Sequence, residues 1–266
     1  SNNFATGDAA VTGGTLSSIT GSGTAYAATF TPTANSTADG VITVASNTFS
    51  DAAGNLNQDG EDTNNKLVLD VDTAKPTVTI TSDKTRLRIE ESSVINFSLS
   101  EPSDDFEASD VSVTGGKLSD FIGTGSSYTG IFTPTNKSTA DGVISVASNK
   151  FSDSFGNLNQ NNSNGKDSLK IAVDTAAPTV TITIDRPAIQ PGQSATVYFK
   201  LSEPSVDFSL VDLTAVGGRL TNFQGSGDSY QAVFSTDSWY GGPNWLIGVN
   251  DSSFSDLFEN QFRQSL

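Results

Sequence analysis

The chain has 266 residues, with 14 basic and 30 acidic side chains, a formal charge of −16, and no cysteine, histidine or methionine. Nucleic-acid binding needs a basic face, so that class is disfavoured, and so is an anionic membrane surface; no apolar run approaches the ~20 residues of a membrane helix. Without Cys there are no disulfide staples, and without Cys or His the usual nucleophile–base pairs are missing.

Gly13-Gly14 returns as Gly115-Gly116 and again as Gly217-Gly218, a spacing of 102 residues. VDTAKPTVTI at 71–80 returns as VDTAAPTVTI at 173–182, and FSLSEPSDDF at 97–106 as FKLSEPSVDF at 199–208. FSDAAGNLN at 49–57 returns as FSDSFGNLN at 151–159, and FSDLFENQF at 254–262 is a decayed third copy, one residue out of step. Solenoid repeats run roughly 20–50 residues. This period is instead the length of a small domain with room for its own core. The copies occupy 1–73, 74–175 and 176–266. SNNFATGD at 1–8 matches SDDFEASD at 103–110, so copy one is expected to be truncated at its N-terminus. Copy two is complete. Copy three is divergent and stops after its FSD segment, so the chain is expected to be part of a longer one.

In copy two, alternating β-branched and aromatic residues predict strands over 76–82, 93–100, 109–114, 117–122, 127–133, 142–149 and 168–174. Gly123 and Gly125 mark a hairpin turn, and Gly, Asn, Asp, Ser and Pro fill the remaining gaps. No stretch sustains a helical period. About seven short strands per repeat predict an all-β fold of tandem immunoglobulin-like antiparallel sandwiches. The linkers are Asp72-Thr73-Ala74-Lys75-Pro76 and Asp174-Thr175-Ala176-Ala177-Pro178. They are too short and too stiff at Pro to act as flexible tethers.

Such a sandwich brings the start of its first strand, the loop after its second strand and the loop before its last strand to one end. Asp72, Glu101, Asp104, Asp105, Asp153 and Asn157 are therefore expected together at the first junction. Asp174, Glu203, Asp207, Asp256 and Asn260 form the corresponding set at the second. Bare carboxylates at that density repel one another, and a hard cation that takes six to eight oxygens relieves the repulsion. An oxygen-only donor set favours Ca2+, in a structural role, over zinc or copper. The same residues also read as turn formers, with Pro102 ending a strand, Asp153 making an Asx-turn and Gly156 supplying positive φ. Asp51 and Asn55 are half of a set in copy one. In copy three the residue in place of Gly156 is Phe258 or Glu259, depending on where the extra residue falls.

Asp59, Glu61 and Asp62 are not repeated and read as a solvated loop. Asp39 and Asp141 read as turn residues at the opposite end of the sandwich. Trp239, Tyr240 and Trp245 read as packing around a divergent domain, with sugar stacking as the alternative. The acidic motifs recur in every copy at domain ends, as structural metal sites do and catalytic sites rarely do, so no enzyme is expected.

In combination VDTAAPTVTI, LSEPxxDF, VTGGxL and FSDxxGN resemble the bacterial Ig-like repeats of large biofilm-associated and RTX-type surface adhesins, over nearly the whole chain. That resemblance implies a stalk segment, extracellular at a bacterial surface or secreted, with calcium near the domain junctions. It implies neighbouring Ig-like repeats of the same chain as partners, a possible glycan or surface partner, no nucleic acid and no membrane insertion. The alternatives are a glycan- or protein-binding module and a spacer in a secreted multidomain enzyme.

Overall fold

The computed structural model describes residues 1, 3–58, 64–186, 188–237 and 245–264. Copy two folds as two facing sheets. One contains Val78–Ser82, Ser93–Ser103 and Gly116–Pro134. The other contains Val111–Thr114, Gly142–Val146, Ser168–Val173 and Arg86–Leu87. All pairings are antiparallel except Arg86–Leu87, which lies parallel to the end of Ser168–Val173. This is the expected immunoglobulin-like sandwich. In copy three Val180–Ile184, Ser194–Ser205 and Gly218–Thr236 form one sheet, and Leu213–Val216 pairs with Leu246–Val249 in the other. In copy one Ala9–Thr12, Gly40–Val44 and Lys66–Leu69 form a three-stranded sheet.

Several details depart from the strand expectations. The strand expected over 109–114 begins at Val111, after a 3₁₀ turn, and the one expected over 142–149 ends at Val146. The stretches 117–122 and 127–133 belong to one element, Gly116–Pro134. It turns back at Gly123 and Gly125, both at positive φ. The strand expected to end at 100 runs to Ser103, with a register shift between Ser98 and Ser103. Pro102 therefore sits inside an irregular strand, where its missing N–H breaks no ladder bond, and does not end it. The short strand Arg86–Leu87 was not expected, because two residues carry no periodicity. Among the described residues the helical segments are three-residue 3₁₀ turns, Thr6–Asp8, Ala108–Asp110 and Leu210–Asp212.

Alternation fills the core. From Ser93 to Leu99 every second side chain is buried, and Ile95, Phe97 and Leu99 face inward. Phe106 meets Phe97, Phe121 and Tyr128 edge-on, with the Tyr128 centroid 5.1 Å away. Phe208 repeats this in copy three with Phe199, Phe223, Tyr230 and Phe254. Among the described residues the buried apolar side chains all lie in copies two and three. The repeated Gly-Gly step has two separate causes. Gly115 has φ +73°, and a Cβ there would lie 2.2 Å from the Asp141 carbonyl oxygen. A Cβ on Gly116 would lie 2.6 Å from the Phe132 ring.

Candidate metal centre at the domain junctions

The aromatic cores position the acidic segments. Phe106 and Phe208, both buried, anchor the chain just after each SEP segment, and Phe151 and Phe254 anchor the start of each FSD loop. The Tyr128 hydroxyl donates to Ser103 O at 2.8 Å, and the Tyr230 hydroxyl donates to Ser205 O at 3.0 Å. The SEP segment of each copy is thereby held against its own sandwich.

Two carboxylate trios result. Asp72, Glu101 and Asp153 each offer an oxygen, and these three oxygens lie within 4.8 Å of one another. Asp174, Glu203 and Asp256 repeat the arrangement at the second junction. Each trio joins the linker of one copy to two segments of the next. Buried Glu101 Oε2 has no hydrogen-bond partner. Burial pushes the Glu101 carboxyl above its usual range, and the Asp72 and Asp153 charges push the same way. Burial also pushes Glu203 up to about 7, helped by a hydrogen bond to Asp174 and by the Asp174 and Asp256 charges.

The other acidic candidates sit outside the trios. Asp105 Oδ1 accepts from the Ser103 hydroxyl at 2.7 Å and the Ser152 N–H at 2.8 Å, and Oδ2 accepts from the Ser152 hydroxyl. Burial raises its carboxyl, but these hydrogen bonds outweigh burial and leave it below the usual range. Asp207 is held in the same way by Ser205 and Ser255. Both act as stays between the SEP segment and the FSD loop. Asp104 is exposed.

Asn157 and Asn260 clamp the linkers. Asn157 Nδ2 donates to Asp72 O at 3.2 Å and to Asp153 Oδ2 at 2.9 Å, and Asn260 Nδ2 does the same with Asp174 O and Asp256 Oδ2. The Asx-turn is also present: Asp153 Oδ1 accepts from the N–H groups of Phe155 and Asn157, both at 2.9 Å. Asp51 makes the same loop with Ala53 and Asn55 in copy one, where no trio is found among the described residues. Turn chemistry thus shapes the loop by itself, and the loop then presents its aspartate to the linker.

Copy three resolves the register of its decayed motif. Glu259 stands where Gly156 stands and keeps positive φ, +67° against +86°. An L-residue there costs roughly 1–2 kcal/mol. Glu259 Oε1 accepts from Arg86 Nη2 at 3.1 Å and Oε2 from Arg88 Nη1 at 2.7 Å. Phe262 takes the place of buried Asn159 and stacks on Phe254 at 5.0 Å. Sequence reasoning missed Arg86, Arg88, Tyr128 and Asn159. The signal for the arginines was present: Lys84, Arg86 and Arg88 cluster in an acidic chain. Asp141 pairs with Lys170 at 2.7 Å. Trp245 packs against the copy-three core. Trp239, Tyr240, Asp59, Glu61 and Asp62 lie outside the described residues.

A profile of the bacterial Ig-like domain matches residues 1–68, 72–173 and 174–265. The chain belongs to the bacterial Ig-like domain family. Among solved structures it is similar to invasin, a bacterial integrin-binding protein, at 14% identity and a TM-score of 0.38. That match covers 86% of this chain and 47% of invasin, so this Ig-like chain spans about half of invasin's length. It is also similar to FdeC, an Escherichia coli adhesin, at 13% identity and a TM-score of 0.41, covering 97% of this chain and 83% of FdeC. No curated protein sequence matches it. No described helix is long and apolar enough to cross a membrane.

Proposed function

We propose that this chain is a stalk segment of a bacterial surface adhesin, non-enzymatic and extracellular, whose Ig-like repeats are stiffened by calcium at the domain junctions and hold an adhesive end away from the surface. The carrying observation is Glu101 Oε2, a buried carboxylate oxygen with no donor, set among two further carboxylates. Leaving such an atom without a partner costs free energy, and a cation offsets that cost. Calcium–oxygen distances are about 2.3–2.6 Å, so two ligands of one ion lie up to roughly 5 Å apart. The 4.8 Å limit on the trio oxygens is compatible with that spacing. Asp72, Glu101 and Asp153 would hold the first ion, and Asp174, Glu203 and Asp256 the second. The ion would supply positive charge shared between linker and loops. Without it, the three carboxylates at the first junction repel and that linker acts as a hinge. Extracellular modules of this kind bind calcium at about 0.1–1 mM. A role in cell adhesion or biofilm formation follows from the adhesin reading.

Small-angle X-ray scattering with and without chelator, at fixed ionic strength, tests the proposal alongside calcium titration by calorimetry. A shorter mean length in chelator, and loss of one binding event in Glu101→Gln, are expected. No heat of binding and unchanged scattering would sink the calcium mechanism.

A further inference from the structure

We propose that Arg86 and Arg88 of copy two and Glu259 of copy three form a cation-independent lock at the second junction. The lock sets the angle between those two domains when no metal is bound.

The lock starts from strand alternation. Arg86 and Arg88 flank Leu87, which is fully buried, so both arginines project from the opposite face. Parallel pairing with Ala172 and Val173 fixes that short strand at the end of copy two that faces copy three. Glu91 lies 3.7 Å from Arg88 Nε and 3.6 Å from Lys84 Nζ, which steadies the basic cluster from behind. Glu259 then receives one guanidinium on each carboxylate oxygen, so a single side chain is tied by charge-assisted hydrogen bonds to two arginines of the other domain. Arg86 also donates to Leu257 O at 3.4 Å and lies 5.8 Å from the Phe258 ring centroid. The Ile89 N–H donates to Asn260 Oδ1 at 2.9 Å, next to the candidate metal residues. Contacts 171 to 173 residues apart in sequence therefore converge on one loop tip.

Neither half of the lock is repeated. Ala188 and Gln190 flank Ile189, the counterpart of Leu87, so copy three presents no arginine pair. Gly156 takes the place of Glu259 at the first junction and has no side chain to offer. The departure from FSDxxGN is thus matched by a departure on the facing domain.

The chain's lack of cysteine makes a double-label experiment clean. Exposed Ser22, Thr124 and Ser226 occupy the same register position in the three copies. Spin labels on Ser22→Cys/Thr124→Cys report the first junction, and labels on Thr124→Cys/Ser226→Cys report the second. Residues 1–266 are measured by double electron–electron resonance in calcium and in chelator. In chelator the 124/226 distance distribution is expected to keep its width. Adding Arg86→Ala/Arg88→Ala should then widen it on the order of twofold, as freely jointed domains would. Circular dichroism confirms that the variant folds, since both arginine side chains are largely exposed. The lock is overturned if the 124/226 distribution widens on chelation before any substitution, or if the arginine variant leaves it unchanged. The calcium reading fails separately, if the 22/124 distribution ignores chelation.

Discussion

At the first junction Asp72 and Asp153 stand beside the buried Glu101 Oε2, which has no hydrogen-bond partner, and no described donor reaches Asn157 Oδ1. At the second junction the same three positions are more enclosed. Asp174 and Asp256 are both buried, Glu203 holds its proton up to about pH 7, and Asn260 Oδ1 is taken by the Ile89 N–H. The Arg86–Arg88–Glu259 contact stands beside it. One motif in two settings therefore differs in how much it depends on a cation. The first junction offers ligands and the Asn157 clamp, whereas the second adds further protein groups doing part of the same work.

The largest effect on this comparison should come from removing the loop aspartates. Asp153→Ala or Asp256→Ala removes three hydrogen bonds to a charged acceptor. In calcium, urea denaturation should show the affected copy losing about 2–4 kcal/mol. In chelator the loss should be smaller, because carboxylate repulsion disappears with the side chain. Equal losses in both conditions would remove the cation from the comparison.

Next comes pH. Glu203 has a folded value of about 7 against an ordinary 4.5, so the folded state binds the proton more tightly than the unfolded state. That contribution to stability is complete below about 4.5 and is lost as pH rises through about 7. The chelated chain should therefore melt lower at pH 8 than at pH 5.5, and Glu203→Gln should flatten that slope. A melting temperature that rises over this range in chelator would contradict the reading.

Gly156→Glu brings the second junction's glutamate to the first without its arginines. It should destabilise copy two by about 1–2 kcal/mol, the cost of a left-handed L-residue, as read by denaturation. Glu259→Gly should be the mildest change. It relieves a similar strain and loses two exposed ion pairs worth at most about 1 kcal/mol each. Copy-three stability should move by less than about 1 kcal/mol while the second junction loosens. A large stability loss would mean that Glu259 supports its own domain and not the junction.

Strand alternation, Gly-Gly turns and the short Asp-Thr linkers are interactions between near neighbours in the chain, so the repeat and the all-β sandwich were legible in the sequence. So was the acidic character of the junction, because the fold type brings three particular segments to one end. Which carboxylates converge was not legible. Asp104, Asp105 and Glu101 lie within five residues, yet the register shift after Ser98 and the Ser103 and Ser152 bonds send Asp105 to a structural tie and leave Glu101 in the trio. The two-residue strand Arg86–Leu87 has no pattern of its own and exists only because Ser168–Val173 offers an edge. Local propensity and spacing act over a few residues and are written in the sequence. Partners 47, 85 or 173 residues apart are chosen by how the sheets pack, and tertiary structure alone made those choices.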